Sequence, residues 1–284
     1  MKKIAIAYFS ATNVTRTYAE KMAAEIKAQN HEASLLDITS FASREEKLPI
    51  QEFDFFIFGF PVFVSFAPKV INQWIPTLNA EGKRAAQFFT YGARTAGYSH
   101  YHTKRLLEEE AGFKVMLSAE FLGRHSNNLA GWQIIPERPD EQDFSVAKEY
   151  IRVALERFLS KRLPAYQLQK PFEYTQAIKK LAEAKPSIER GWRHPIRITE
   201  ECSMCRECET ECPTSAFDAD LGESAPDKCI ECMRCVYICP EEVIKADERL
   251  KDVYEDFKRS WNLTEEMMRA KRSKIITEFW QTTC

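Results

Sequence analysis

Eight of the nine cysteines in this 284-residue chain belong to one pattern written twice. Cys202-x-x-Cys205-x-x-Cys208-x-x-x-Cys212-Pro213 recurs 27 residues later as Cys229-x-x-Cys232-x-x-Cys235-x-x-x-Cys239-Pro240. Thiolates at this spacing suit two [4Fe–4S] clusters, and so the movement of electrons. Three closely spaced cysteines can wrap three corners of one cube. The fourth, before proline, lies beyond reach of its own cluster and ligates the other. The expected ligand sets are therefore Cys202, Cys205, Cys208 and Cys239 for one cluster, and Cys229, Cys232, Cys235 and Cys212 for the other. Zinc fits less well, because a zinc knuckle pairs two ligands with two and leaves the third and fourth cysteines of each run without a role. Disulfide frameworks suit small secreted chains. Cys284 has no partner at any ligand spacing and reads as a free thiol.

The repeat continues beyond its ligands. Ala216-Phe217 answers Val243-Ile244, and these pairs are expected to pack around the cubes. Residues 195–247 resemble the bacterial two-cluster ferredoxin domain. A chain of this length has room for more, and about two domains are expected. Hydrophobic content of 44% and charged content of 29% are those of a globular chain rather than a disordered one. The net charge of −2 hides an asymmetry: residues 195–250 hold 14 acidic and 6 basic side chains, net −8, which leaves +6 for the rest. An acidic carrier face suits docking to a basic redox protein. No basic cluster interleaved with aromatics supports nucleic-acid binding. The longest apolar run, 55–67, is broken by Gly59, Pro61 and Ser65 and falls short of the ~18 residues of a membrane span. The start, Met1-Lys2-Lys3 and then Ile4–Phe9, carries no signal-peptide pattern, so a cytoplasmic protein is expected.

The elements before residue 163 must position any partner for the clusters. Strands are expected at 4–9, 33–38, 53–60, 85–91 and 114–121. Helices are expected after the first (Val14, Tyr18, Met22 and Ile26 at steps of four), around Val70–Ile75, over 98–110 and over 144–159. This alternation predicts a doubly wound α/β fold with a five-stranded parallel sheet. Its ligand site lies at the carboxyl ends of the strands. The first such loop, Ser10-Ala11-Thr12-Asn13-Val14-Thr15, offers hydroxyls and unpaired N–H groups at a helix start, which suits a phosphate. It has neither the glycines of a dinucleotide fingerprint nor the lysine of a P-loop.

This loop resembles the Ser/Thr-x-Thr-Gly-x-Thr phosphate loop of the flavodoxin family, with Asn13 where glycine is usual. The resemblance implies FMN, bound by Ser10, Thr12, Asn13, Val14 and Thr15. It implies an isoalloxazine ring between Pro61, Val62, Phe63 and Val64 of the third loop and Tyr91, Gly92, Ala93, Gly97 and Tyr98 of the fourth. Phe63 and Tyr98 are the expected stacking aromatics. The loop Gly123–Asn128 follows the fifth strand and also points to the site face. The whole chain resembles the flavodoxin–ferredoxin fusion proteins of anaerobic bacteria and archaea: a flavodoxin-like domain over 1–163, a helical linker over 164–194, the small α+β ferredoxin unit over 195–247 and a helical tail over 248–284. In the tail, Leu250, Val253, Tyr254 and Phe257 mark one helix. Asn262-x-x-Glu265 opens a second, with Met267, Met268, Ile275, Ile276 and Phe279 as its apolar positions. The expected function is electron transfer among FMN, two clusters and partner redox proteins of unknown identity. A head-to-tail homodimer could shorten the path. The alternative is an iron–sulfur flavoenzyme reducing a small molecule at FMN, with Tyr98 or His125 as proton donor.

Overall fold

The computed structural model describes residues 1–162, 166–183 and 194–277. In the first stretch β1 (Lys3–Tyr8), β2 (Glu32–Asp37), β3 (Phe55–Pro61), β4 (Arg84–Tyr91) and β5 (Lys114–Leu122) alternate with α1 (Val14–Ala28), α2 (Phe41–Glu45), α3 (Lys69–Trp74), α4 (Ser99–Arg105) and α5 (Glu141–Leu159). The five strands are parallel and run in the order 2-1-3-4-5. This is the flavodoxin-like doubly wound order, whose switch point falls between β1 and β3.

β3 sits at the centre of the sheet and is covered on both sides. Phe56, Phe58 and Phe60 face one side with Phe9, Ile71 and Trp74. Phe55 and Ile57 face the other, against Tyr18 and Met22 of α1 and Tyr150 and Phe158 of α5. Burial on both faces explains why the β3 sequence is continuously apolar instead of alternating. The buried stripe of α1 is Val14, Tyr18, Met22 and Ile26 with the alanines between them, as its four-residue step predicts. At the start of α5, Asp140 and Asp143 form a reciprocal capping box.

α6 (Tyr174–Ala182) falls within the expected linker. It is pinned by a 2.7 Å hydrogen bond between the Tyr174 hydroxyl and His102 Nδ1. The cysteine-rich unit follows: β6 (Ile196–Arg197), α7 (Glu207–Thr210), β7 (Phe217–Asp218), β8 (Glu223–Ser224), α8 (Arg234–Ile238) and β9 (Ile244–Lys245). Its strands form a small antiparallel sheet in the order 7-8-6-9.

The tail is only partly helical. α9 (Leu250–Ser260) and α10 (Glu265–Ala270) are followed by β10 (Lys274–Ile276), which pairs antiparallel with β5 as a sixth strand. Ile275 and Ile276, expected on a helix, are strand residues. The physical reason is the open edge of β5, whose unpaired N–H and C=O groups accept any extended segment that reaches them. Ser273 fixes the register: its Oγ accepts from Leu122 N at 2.9 Å and donates to Asp143 Oδ1 at 2.5 Å. α10 is capped by Thr264, whose side chain accepts from Met267 N at 3.1 Å, rather than by Asn262. Trp132 Nε1 donates to Leu250 O at 2.6 Å and the Tyr254 hydroxyl to Gln133 O at 3.0 Å. α9 is thereby laid over the loop after β5. Phe279, Cys284, residue 163 at the end of the expected flavodoxin-like domain, and residues 164–165 and 184–193 of the expected linker lie outside the described residues.

Candidate functional site

The carboxyl ends of β1, β3, β4 and β5 meet at one cavity. Ser10, Thr12, Val14 and Thr15 line it from the first loop, Pro61, Val62 and Phe63 from the end of β3, and Tyr91 and Gly92 from the end of β4. Asn13 is the cap of α1, with φ 63° and no side-chain cap hydrogen bond. It adopts the left-handed conformation that glycine would supply, one that asparagine tolerates at modest cost. No acidic residue occupies the first turn of α1, so its N–H groups and dipole favour an anion. The loop is held from several sides. Ser10 Oγ accepts from Arg16 N at 3.0 Å, Ser10 N donates to Thr39 Oγ1 at 2.8 Å, and the Thr15 and Thr90 hydroxyls pair at 2.8 Å.

Ala11, Thr90, Gly123, Arg124, His125 and Ser126 complete the wall; Ala11 belongs to the expected phosphate loop, Thr90 stands near the end of β4, and only the position of the loop after β5 pointed to the other four. Gly123 is structural: a Cβ there would lie 2.2 Å from Val14 Cγ1, so α1 reaches its place because the side chain is missing. His125 accepts from Asn127 N through Nδ1 at 3.1 Å, and its ring stacks on Trp132 at 5.1 Å. Burial lowers its pKa to about 4. The ring is therefore neutral at pH 7, and a neutral imidazole is a weak proton donor. The free volume of the cavity is about 50 Å³.

Not every expected ring contact lies in this cavity. Tyr98 instead stacks on Phe66, with centroids 5.2 Å apart and planes 27° from parallel. The reason is a tight turn. Phe63 and Phe66 exchange backbone hydrogen bonds of 2.7 and 3.0 Å, and Tyr98 N donates to Ser65 O at 2.7 Å. Val64 and Ser65 in that turn have φ 49° and 68°, values normally left to glycine and asparagine. A β-branched residue there stores strain. Val64, Gly97 and Tyr98 line a neighbouring groove of about 590 Å³, bounded also by α6 and Trp261. Ala93 is fully buried beside Tyr91, Leu122 and Trp132. The two hollows share the loops after β3 and β4, which divide the expected ring contacts between them.

The thiols form two groups. All eight are free. Cys202, Cys205, Cys208 and Cys239 surround one small hollow with Phe217 and Ile244. Cys212, Cys229 and Cys232 are close enough to Cys235 to act on its charge. Ala216, Phe217, Val243 and Ile244 are buried among the cysteines. Burial pushes the Cys208 and Cys229 thiols up to about 11 and the Cys232 thiol up to about 12. Such groups become thiolates only against a cation, and metal binding would release their protons.

The backbone repeats as strictly as the sequence. Met204 and Arg206 have φ 56° and 62°, and their counterparts Glu231 and Met233 have φ 54° and 63°. Ser215 and Glu242 after the prolines match too, at φ 49° and 53°. Left-handed residues alternating with right-handed ones turn successive N–H groups inward and make a nest for an anion, as Fe–S sites use. None of the six is glycine, so each conformation has a cost that the loop must recover from what it encloses. The identities of these residues gave no signal of this geometry.

The two sites meet. Cys232 packs in the same apolar cluster as Phe9 and Ala11 of the first loop. Phe41 N donates to Cys212 O at 3.2 Å, and Arg44 donates to Pro213 O as well as to three carbonyls of its own loop. Arg234 Nη2 donates to Glu211 Oε2 at 2.6 Å, and Nη1 reaches Ala11 O at 3.5 Å.

Residues 194–240 match the family model of the 4Fe-4S dicluster domain. Ferredoxin-3 of Chlorobaculum tepidum is 40% identical over 57 residues, covering 17% of this chain and 92% of the relative. In this segment the chain belongs to the two-cluster ferredoxin family. Ferredoxin-1 of the same organism is 44% identical over 57 residues, again 92% of its length. Beyond the ferredoxin, solved structures similar to this chain include a flavodoxin from the domain Archaea, 17% identical over 56% of this chain and 99% of its own, with a TM-score of 0.41. Oxidised Flavodoxin 1 from Bacillus cereus is 16% identical over 56% and 99%, with a TM-score of 0.42. At that level of likeness the parallel 2-1-3-4-5 order carries the fold assignment. The ferredoxin is fused to a flavodoxin-like sheet.

Proposed function

We propose that this ferredoxin fusion is an electron carrier that links FMN, held by the Ser10–Thr15 loop, to two [4Fe–4S] clusters and through them to a partner redox protein. The carrying observation is the junction: Cys232 of the ferredoxin and Phe9 and Ala11 of the first loop share one apolar cluster. When bound, FMN takes up electrons one or two at a time, and each cluster carries one. The chain's own residues do the rest. The first turn of α1 and the hydroxyls of Ser10, Thr12 and Thr15 hold the phosphate. Phe63 and the loop after β4 border the ring and keep water from it. Cys202, Cys205, Cys208 and Cys239 ligate one cluster, and Cys212, Cys229, Cys232 and Cys235 the other. The junction lies within one chain, so no head-to-tail dimer is required. Among the described residues no helix is long and apolar enough to cross a membrane. We place the carrier in a reducing cytoplasm because its thiols must stay reduced for cluster assembly.

Protein purified without oxygen should be brown and contain about eight irons, eight acid-labile sulfides and one FMN per chain. Zinc without sulfide, or clusters without flavin, would overturn the reading. The groove beside Tyr98, about 590 Å³, favours a second reading, in which a small molecule is reduced next to the ring. Multiple turnover with a small oxidant alone would establish that reading, whereas turnover only through a redox protein supports the carrier.

A further inference from the structure

We infer that the two clusters are unequal stations: the Cys212, Cys229, Cys232 and Cys235 set holds an inner cluster beside the flavin loop, the Cys202, Cys205, Cys208 and Cys239 set holds an outer cluster where the partner exchanges electrons, and Arg234 sets the inner potential. This rests on the functional reading above and deepens it.

Burial orders the two sets. Cys212, Cys232 and Cys235 are buried, whereas Cys205 is exposed and no member of the outer set is buried. The inner set also faces the larger domain. Cys232 shares its core, and Cys212 and Pro213 are tied to α2 through Phe41 and Arg44. Ile198, 59% exposed, and Met204, 41% exposed, stand near Cys202 and Cys205 in the chain. They offer apolar contact to a docked protein within an acidic surround.

Charge separates the sets further. Arg206 beside the outer hollow is nearly half exposed and pairs with Glu209 and Asp220 at the surface, where water screens it. Arg234 has its side chain 10% exposed, and its Nε, buried, has no hydrogen-bond partner among the described residues. It lies between Met233 and Cys235, two residues from Cys232. Glu211, its ion-pair partner, is itself 42% exposed. Reduction adds negative charge to a cluster, so a buried guanidinium favours it, and more strongly than an exposed one. The same side chain touches Ala11 O in the flavin loop. The inner cluster thus accepts an electron more readily than its thiols alone would allow, and the outer one hands it on or receives it at the surface.

The test is an anaerobic EPR redox titration of the full chain and of Arg234→Gln and Arg234→Lys, with Cys212→Ser used to mark the inner signal. The signal altered in Cys212→Ser should be insensitive to a soluble dysprosium chelate, while the other relaxes faster. In Arg234→Gln the inner midpoint should shift to more negative potential with the outer unmoved, and Arg234→Lys should restore most of the shift. The inference is overturned if the chelate relaxes the Cys212-linked signal, or if both midpoints or neither move. Iron, sulfide and FMN are counted in the same samples. Wild-type protein that lacks flavin or a cluster refutes the functional reading and this inference with it. Fully loaded protein with unmoved potentials refutes the inference alone.

Discussion

Gly123→Ala is a one-methyl perturbation whose effect on flavin binding can be worked from the structure. The new Cβ would sit 2.2 Å from Val14 Cγ1, more than an ångström inside ordinary van der Waals contact. Val14 is the first residue of α1, and a β-branched side chain in a helix has essentially one χ1 rotamer, so it does not swing aside. The first turn of α1 has to move, and it carries the N–H donors assigned to the phosphate. Losing one charge-assisted hydrogen bond costs about 1.5–3 kcal/mol, which corresponds to roughly 10- to 150-fold weaker FMN binding. The packing penalty on the fold itself is about 1–3 kcal/mol. Fluorescence titration of flavin-stripped protein with FMN measures the first quantity, and urea unfolding of the same protein the second. Val14→Ala removes the clashing methyl, so the double variant should recover most of the lost affinity, as a double-mutant cycle reads directly. Gly123→Ala protein that binds FMN as tightly as wild type, or a double variant in which Val14→Ala leaves the defect in place, would refute this coupling.

Three further outcomes are expected. Cys212→Ala should lower iron and sulfide to roughly half and remove the cluster held by Cys229, Cys232 and Cys235; loss of the Cys202 cluster instead would reverse the cross-ligation. Asp143, buried, accepts from Arg138 and from Ser273 at 2.5 Å. Asp143→Asn therefore leaves the buried Arg138 with only the more exposed Asp140, at 3.5 Å, and should cost about 3 kcal/mol in urea unfolding, whereas a loss below about 1 kcal/mol would deny the pair its role in holding the tail strand. His102 titrates at about 4, chiefly through burial and then through Arg105. The unfolded chain takes up that proton near pH 6.5 and the folded one does not, so the contribution is whole above about pH 6.5 and is lost as pH falls toward 4. It amounts to up to about 3 kcal/mol. Urea midpoints measured from pH 7.5 to 4.5 should fall less steeply in His102→Gln, and an unchanged slope would rule this out.

Chemistry encoded by spacing was legible in the sequence. The paired cysteine runs specify two four-thiol sites because ligand spacing is local and the repeat is read position by position. The alternation of apolar runs with helix periods specified the doubly wound sheet, because a strand buried on both faces must be apolar throughout, as β3 is. Asn13 could be read as a left-handed cap because few residues tolerate that conformation. What depended on distant parts of the chain was not legible. Ile275 and Ile276 suit a helix or a strand equally, and only the open edge of β5 decided for a strand. Tyr98 carries a stacking ring wherever it sits, and the Phe63–Phe66 turn sent it to Phe66 instead of the cavity. Gly123 and Arg124 entered the wall through β5, more than a hundred residues after Ser10. Arg234 reads as one more surface cation among the acidic residues of the ferredoxin. The tertiary structure buries it between a thiol set and the Ser10–Thr15 loop, because docking two units removes from water whatever lies between them. Spacing along the chain named the two thiol sets; only packing placed Cys232 in one apolar cluster with Phe9 and Ala11 and left Cys205 exposed.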